Sequence, residues 1–458
     1  MPEPGPEVSL EEQIDPWRSY LRRRQADHSV DLAELEDQLR KQVASLVEAG
    51  LATDEAFMVA VKRTGRLDAV TRDFARDHFD RLWKQPGEPR PRARTEAVVA
   101  FCLAVAAAVA IKVPALFGMQ LDVDAGFYLR NASLFVLPLL TGYFVWKRRL
   151  DTRTLLWLAA AFVAAGVFAN VYPFQAHVPG SSTHDPGNTE TLTALHLPII
   201  LLLVVGIAHA GGRWRQVEGR MDFIRFSGEL FIYYVLIALG GGVLTAFLMM
   251  MFETIGIDAE AFVGSWLLPC GAAGAVLVAS WLVETKQGVI ENMAPVLTRL
   301  FTPLFAALLV TFLGALLVTG RGVDIEREVL IAFDLLLVVI LGLLLYSVSA
   351  RDPGRPAGAF DVLQVVLLVS ALLVDAVALW AIAARITEFG FTPNRTAALG
   401  MNVILLVNLA WSAGLYIRFL RGRGVFSALE RWQTNYLPVY AVWAAIVVIV
   451  FPPVFGYV

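Results

Sequence analysis

The stretch that decides the fold runs from residue 361 to residue 395 and reads DVLQVVLLVSALLVDAVALWAIAARITEFGFTPNR. Its first part, residues 361–384, is largely apolar, and away from its ends it carries a single charged side chain, Asp375. An apolar run of about 20 residues can cross the hydrocarbon core of a bilayer as an α-helix. The second part, residues 385–395, is a short polar connection, and another apolar run follows it. This alternation predicts two membrane spans joined by a tight turn.

The same alternation recurs along most of the chain. Only 17% of the 458 residues are charged, against about 25% in ordinary soluble proteins. Backbone groups in lipid must be satisfied internally, so each apolar run is expected to be a helix. The sequence therefore predicts an all-α fold, a polytopic membrane helix bundle of about 11 spans. The predicted spans are 97–117, 127–146, 154–172, 192–210, 228–252, 262–284, 300–319, 328–349, 361–384, 397–419 and 435–455.

Basic residues are concentrated in every second connection between these spans, for example in residues 147–153 and 213–225. The positive-inside rule places such connections in the cytoplasm. An odd number of spans then predicts a cytoplasmic N-terminus and a C-terminus outside. The first 30 residues are polar and lack the apolar centre of a signal peptide, which also favours a cytoplasmic N-terminus.

The N-terminal part of the chain differs in composition from the remainder, because it is rich in charged residues. Apolar side chains recur there at three- and four-residue spacing, at Leu32, Leu35, Leu39, Val43 and Leu46. This spacing is typical of an amphipathic helix. We predict a small helical cytoplasmic domain at residues 1–86, a linker at 87–96 and a transmembrane domain at 97–458.

The N-terminal segment resembles the permease prefix domain, a small helical module of bacterial membrane proteins. The residues that carry this resemblance are Trp17, Glu34-Leu35-Glu36, Leu39, Leu46, Gly50-Leu51, Glu55-Ala56-Phe57, Ala60, Arg63 and Gly65. The resemblance implies a bacterial cytoplasmic (inner) membrane location and a cytoplasmic protein partner bound through residues 10–85. The alternative is a folding or insertion aid without a regulatory role.

Polar side chains inside predicted spans are the main functional pointers. An ionisable one costs roughly 2.5–3.5 kcal/mol at the centre of a membrane helix, so a partner or a water-filled cavity is expected. Asp334, Asp375 and Asn402 predict a polar cavity open to the outside, with one of the aspartates facing Lys112 or Arg385. The alternative is a set of interhelical hydrogen bonds and snorkelling basic residues.

The connection at residues 385–395 is the exception to the charge pattern, because this outer loop keeps two arginines. Its sequence resembles the signature of an uncharacterised bacterial family of polytopic membrane proteins, a domain of unknown function, with Phe389 in place of the usual tyrosine. The resemblance extends over roughly residues 200–455 and implies an architecture but no activity. The loop residues added to the predicted cavity are Arg385, Glu388, Asn394 and Arg395. The alternative is a helix-turn-helix clamp in which Glu388 pairs with an arginine.

Histidines and carboxylates in the outer loop 173–191 give a second hypothesis. His177, His184 and Asp185 are suitable zinc ligands. The loop is also rich in glycine, serine, threonine and proline, which is typical of a flexible connection. The favoured prediction is therefore no bound metal and no cofactor.

The leading hypothesis for function is a permease- or transporter-like protein with an outward-facing polar cavity. The alternatives are a membrane sensor or assembly protein that docks a cytoplasmic partner through its N-terminal domain, and a membrane enzyme acting on lipid. An enzyme is not favoured, since no catalytic motif stands in a fitting context. Membrane lipids are expected partners. A formal net charge of -3 argues against nucleic acid.

Overall fold

The computed structural model describes residues 14, 32–48, 53–64, 91–121, 123–174, 186–254, 257–285, 293–319, 327–351 and 356–458. Within these ranges every regular element is a helix, and there is no β-strand. The predicted all-α fold is therefore confirmed for the part of the chain that is described. The chain divides into two compact units, residues 1–92 and 93–458.

The first unit contains two described helices, α1 (Leu32–Glu48) and α2 (Thr53–Thr64), which pack against each other. Leu39 and Val43 of α1 are buried, and so is Phe57 of α2. Residues four apart on a helix lie on one face, which explains why the predicted apolar spacing yields a shared core.

Eleven long helices follow in the described ranges, and each overlaps one of the predicted apolar runs. In chain order they are α3 (Pro91–Ala110), α4 (Ala125–Arg148), α5 (Thr152–Val171), α6 (Asn188–Ala210), α7 (Val217–Thr254), α8 (Leu268–Thr285), α9 (Met293–Thr319), α10 (Arg327–Ala350), α11 (Ala359–Phe389), α12 (Pro393–Leu420) and α13 (Ser427–Ile449). Helix α3 begins inside the stretch predicted as a linker, with proline at its first position, where a missing N–H costs nothing.

Nine of the helices in the described ranges are long and apolar enough to cross a membrane, namely α3 and α5 to α12. Helices α4 and α13 are not among the nine, so the count of about 11 spans stays a prediction. Many large apolar side chains on these helices point outward, for example Phe231 at 69% and Leu317 at 84% exposure. Such a surface is costly in water and fits a lipid environment. The helices are therefore consistent with a multi-pass membrane protein.

The buried side chains of the second unit form two main clusters. One is centred on α4, α6 and α8 and includes Leu201. The other is centred on α10, α11 and α12 and includes Leu344. Helix α7 contributes to both, through Phe226 to the first and Met221 to the second. The long α7 therefore joins the two parts of the bundle.

Close helix approach depends on glycines that face aromatic rings. A Cβ atom on Gly206 of α6 would lie 2.7 Å from the ring of Phe223 on α7. A Cβ atom on Gly400 of α12 would collide with the ring of Trp443 on α13. Small residues at such crossings let membrane helices pack backbone against side chain.

Candidate functional site

Three of the residues predicted to line a cavity lie on three successive helices. Asp334 is on α10, Asp375 on α11 and Asn402 on α12. The side-chain amide of Asn402 donates a hydrogen bond from Nδ2 to Oδ1 of Asp334 at 2.9 Å. Helix α11 packs against both α10 and α12, and its buried Asp375 lies between the helices that carry the other two residues. The fold thus assembles these three residues into one group, which we call the carboxylate cluster.

The carboxylate cluster is buried and only partly satisfied. Asp375 and Asn402 are both 0% exposed. Within the described part of the chain, neither carboxylate oxygen of Asp375 has a hydrogen-bond partner, and Oδ1 of Asn402 has none either. Buried polar atoms are normally paired, and an unpaired one costs about 1–3 kcal/mol. The cluster therefore holds unused acceptor atoms that a proton or another cation could occupy.

The sequence around Asp375 explains its burial. Ala371, Val374 and Ala378 lie on the same face of α11, and all three are fully buried. Small side chains on a helix face allow neighbouring helices to approach closely and leave little room for water. Asp375 therefore projects into a packed apolar interface.

No basic side chain offsets the cluster's charge among the residues that the structure describes. Lys112, one of the two predicted partners, instead donates from Nζ to the backbone carbonyl of Ser265 and lies 4.5 Å from the centre of the Trp266 ring. Arg385, the other predicted partner, follows Asp375 by about 15 Å along the axis of α11 at 1.5 Å per residue. The pairing expected from sequence is thus not seen.

The connection between α11 and α12 is a tight cap, as its residues predict. Gly390 has a φ of 76°, and its N–H donates to the carbonyl of Ile386 at 2.8 Å. The Thr392 hydroxyl accepts a hydrogen bond from the backbone N–H of Arg395 at 3.4 Å, so it caps α12. Pro393 is the first residue of α12, a position that its fixed φ suits. Local sequence chemistry therefore determines this turn.

The predicted loop residues form a group of their own at the helix ends. Glu388 is exposed. Arg395 donates to the carbonyl of Gly390 at 3.0 Å, and Asn394 donates to Oδ1 of Asn188 at 2.8 Å. Glu388 lies about 20 Å beyond Asp375 along α11. The loop and the carboxylate cluster are therefore separate sets of residues on the same two helices.

The predicted zinc ligands His177, His184 and Asp185 lie outside the described residues. In the ranges that are described, no group of three or more histidine, cysteine, aspartate or glutamate side chains could hold a metal ion. Glu190 of the same region is buried, and it forms an ion pair with Arg130.

A second charged cluster joins four helices near the opposite ends of the spans. Glu284 is its centre, with oxygens 3.0 Å from Lys147 Nζ, 3.1 Å from an Arg148 nitrogen and 3.2 Å from His209 Nε2. Lys147 also lies 3.1 Å from Glu96. Glu284, at the end of α8, thus pairs with two basic residues at the end of α4. The sequence did not indicate that His209 and Glu96 take part in this cluster, because no neighbouring residue in the chain points to their partners.

Comparison with known proteins adds no relative: no family model, no curated protein and no solved structure matches the chain. The two family resemblances therefore stay predictions. Any functional assignment depends on the geometry of the clusters described above.

Proposed function

We propose that this multi-pass membrane protein is a permease-like transporter in which the carboxylate cluster takes up and releases a proton. The observation that carries the proposal is the fully buried Asp375, whose two carboxylate oxygens have no partner among the described residues. An ionisable side chain inside a membrane helix bundle is costly, so by default it indicates a functional site.

Charge balance supports a bound proton. An ionised carboxylate in an apolar interior is strongly unfavourable unless a partner neutralises it. Among the described residues, the charged group that interacts with Asp375 is a second carboxylate, Asp334. A proton on Asp375 removes the repulsion and the desolvation cost together. Its release would restore both, so proton binding can bias the packing of α11 against α10 and α12.

Asn402 suits a positioning role in the cluster. Its Nδ2 holds Asp334 by a hydrogen bond, while its Oδ1 stays free to accept one. A protonated carboxyl group donates one hydrogen bond, which an amide oxygen can accept. Asn402 therefore has one group that suits a charged carboxylate and one that suits a protonated carboxyl.

The proposed transporter opens toward the end of the bundle that carries the loop at residues 385–395. Helices α11 and α12 connect this loop directly to Asp375 and Asn402. The positive charge of the loop arginines would raise the local concentration of anions at that end. The assignment of this end to the outside depends on the positive-inside rule.

The test is proton flux in liposomes that contain the purified protein and a trapped pH-sensitive dye. A potassium gradient with valinomycin supplies the driving force. Wild-type protein is expected to acidify or alkalinise the lumen according to the sign of the potential. Asp375→Asn is expected to reduce the rate at least tenfold, because an amide cannot cycle a proton.

The matched control is Glu253→Gln, which removes a carboxylate from an exposed position at the end of α7. It should leave proton flux unchanged. Equal flux in wild-type and Asp375→Asn liposomes would refute the role of Asp375. Sodium flux without proton flux would show that the coupled cation is sodium and not a proton.

The helical pair of the first unit supports a second proposal, that residues 10–85 dock a cytoplasmic protein. Helices α1 and α2 share an apolar core but are short, and exposed charged residues such as Lys41 and Asp37 line the outside of α1. Deleting residues 1–86 should leave an inserted membrane part that no longer co-purifies with that partner. Co-purification of the same partner with the truncated protein would rule the proposal out.

A further inference from the structure

A cavity of about 1100 Å³ lies beside the end of α3, away from the carboxylate cluster. Its walls are the last turns of α3, the 3₁₀ turn Val113–Phe117 and the π-helical turn Val263–Leu267 that precedes α8. Ligand sites in proteins typically measure about 300–1,000 Å³, so this cavity can hold a large ligand. The walls are mainly apolar, and Lys112 contributes the one charge among the described lining residues.

The position of Lys112 follows from a proline in the first turn of α8. In a regular helix the carbonyl of Ser265 would accept a hydrogen bond from the N–H of residue 269, but residue 269 is a proline. The helix widens into a π turn here, and Lys112 Nζ donates to the Ser265 carbonyl instead. Single π turns inside α-helices occur frequently at functional sites.

The ammonium group of Lys112 keeps binding capacity after this bond. An ammonium has three N–H donors and needs three acceptors. One donor serves Ser265, and the indole of Trp266 lies 4.5 Å away as a cation–π partner. None of the described residues that line the cavity is a carboxylate. A cation at the edge of an apolar cavity without an acidic partner is suited to an anion.

The surroundings of the cavity indicate from where the anion comes. Leu116 and Phe117, on the 3₁₀ turn, are 83% and 81% exposed. Trp266 is 54% exposed, and tryptophan is enriched where membrane and water meet. The cavity is thus continuous with a surface that suits lipid, and a lipid can enter it sideways.

We propose that this cavity binds an anionic membrane phospholipid, with the phosphate group on Lys112 and one acyl chain along the apolar wall. The charge of Lys112 complements the headgroup, and the apolar lining from Val109 to Met119 complements the chain. The inference does not depend on proton transport, since the cavity includes no residue of the carboxylate cluster.

The test uses purified protein equilibrated with vesicles of equal parts phosphatidylglycerol and phosphatidylcholine, followed by native mass spectrometry of the retained lipids. Wild-type protein is expected to retain phosphatidylglycerol in preference to phosphatidylcholine. Lys112→Met should lower that preference roughly tenfold, the loss expected for one charge-assisted hydrogen bond. Lys112→Arg should keep it. Equal retention of both lipids by wild-type protein overturns the proposal.

A second variant separates lipid binding from the structural bond to Ser265. Ala108→Phe places a ring in the cavity and leaves Lys112 unchanged, so it should abolish retention of phosphatidylglycerol. Trp380→Leu is the control, because Trp380 is a 66% exposed tryptophan on α11 that does not line the cavity. Undiminished phosphatidylglycerol retention by Ala108→Phe overturns the proposal even if Lys112→Met fails to fold.

Discussion

Replacing Glu284 with glutamine is expected to destabilise the membrane bundle by about 3 kcal/mol. The carboxylate of Glu284 is 4% exposed and binds Lys147, Arg148 and His209 at 3.0 to 3.2 Å. Breaking a buried ion pair typically costs about 3–5 kcal/mol, since the remaining charge stays buried without a partner. We place the effect at the lower end, because glutamine keeps the side-chain size and Lys147 keeps its contact with Glu96.

The assay is unfolding in mixed micelles with increasing sodium dodecyl sulfate, followed by far-ultraviolet circular dichroism. The control is Asp222→Asn, whose carboxylate lies 3.5 Å from Arg213 in a pair with side-chain exposures of 57% and 44%. An exposed pair of this kind is worth less than about 1 kcal/mol. The two substitutions remove the same charge, so the difference between them measures burial.

A double-mutant cycle with Lys147→Met completes the measurement. If Lys147 and Glu284 stabilise each other, the double variant should lose less than the sum of the single losses. A loss below about 1 kcal/mol for Glu284→Gln, equal to that of Asp222→Asn, would refute the reasoning. It would mean that the charged cluster around Glu284 does not hold α4, α6 and α8 together.

Three substitutions and one control, Gly240→Ala, test the packing, the cap and the buried carboxylate. Gly400→Ala should lower the thermal midpoint in detergent, because the new methyl group collides with Trp443, whereas Gly240→Ala should preserve or raise it, since nothing lies within 4 Å of that position and alanine favours a helix. Thr392→Ala should cost about 1 kcal/mol of unfolding free energy in the same sodium dodecyl sulfate titration, because α12 loses its cap. Asp375→Asn should unfold at a higher temperature than wild-type protein by differential scanning fluorimetry, since it removes a buried acid at the expense of activity. Unchanged midpoints in Gly400→Ala, wild-type stability in Thr392→Ala or a lowered midpoint in Asp375→Asn would each contradict the corresponding argument.

Much of the architecture could be read from local patterns. The apolar runs coincide with long helices because backbone hydrogen bonds in lipid can be closed within one segment, and no distant partner is needed. The cap formed by Gly390 and Thr392 was equally predictable, since it depends on residues that are neighbours in the chain. Sequence alone also marked Asp334, Asp375 and Asn402, because polar groups stand out within apolar runs.

The contacts among polar side chains were less predictable, because they join residues far apart in sequence. Lys112 was expected near an aspartate, but a proline in another helix freed a carbonyl that it binds instead. His209 lies beside Glu284 through the packing of α6 against α4 and α8, which no local pattern records. Apolar runs also predicted spans at α4 and α13, although neither helix is among the nine candidate spans of the described ranges.

The sequence by itself determined the solvent of this protein: long apolar runs require lipid, and the placement of arginines predicts which ends face the cytoplasm. Only the tertiary structure decided which polar groups meet. It joined Asp334 to Asn402, left the oxygens of Asp375 without a partner among the described residues, and placed Lys112 in the wall of a mainly apolar cavity. The physical reason is that hydropathy acts along one helix, whereas the pairing of charges depends on which helix faces pack together.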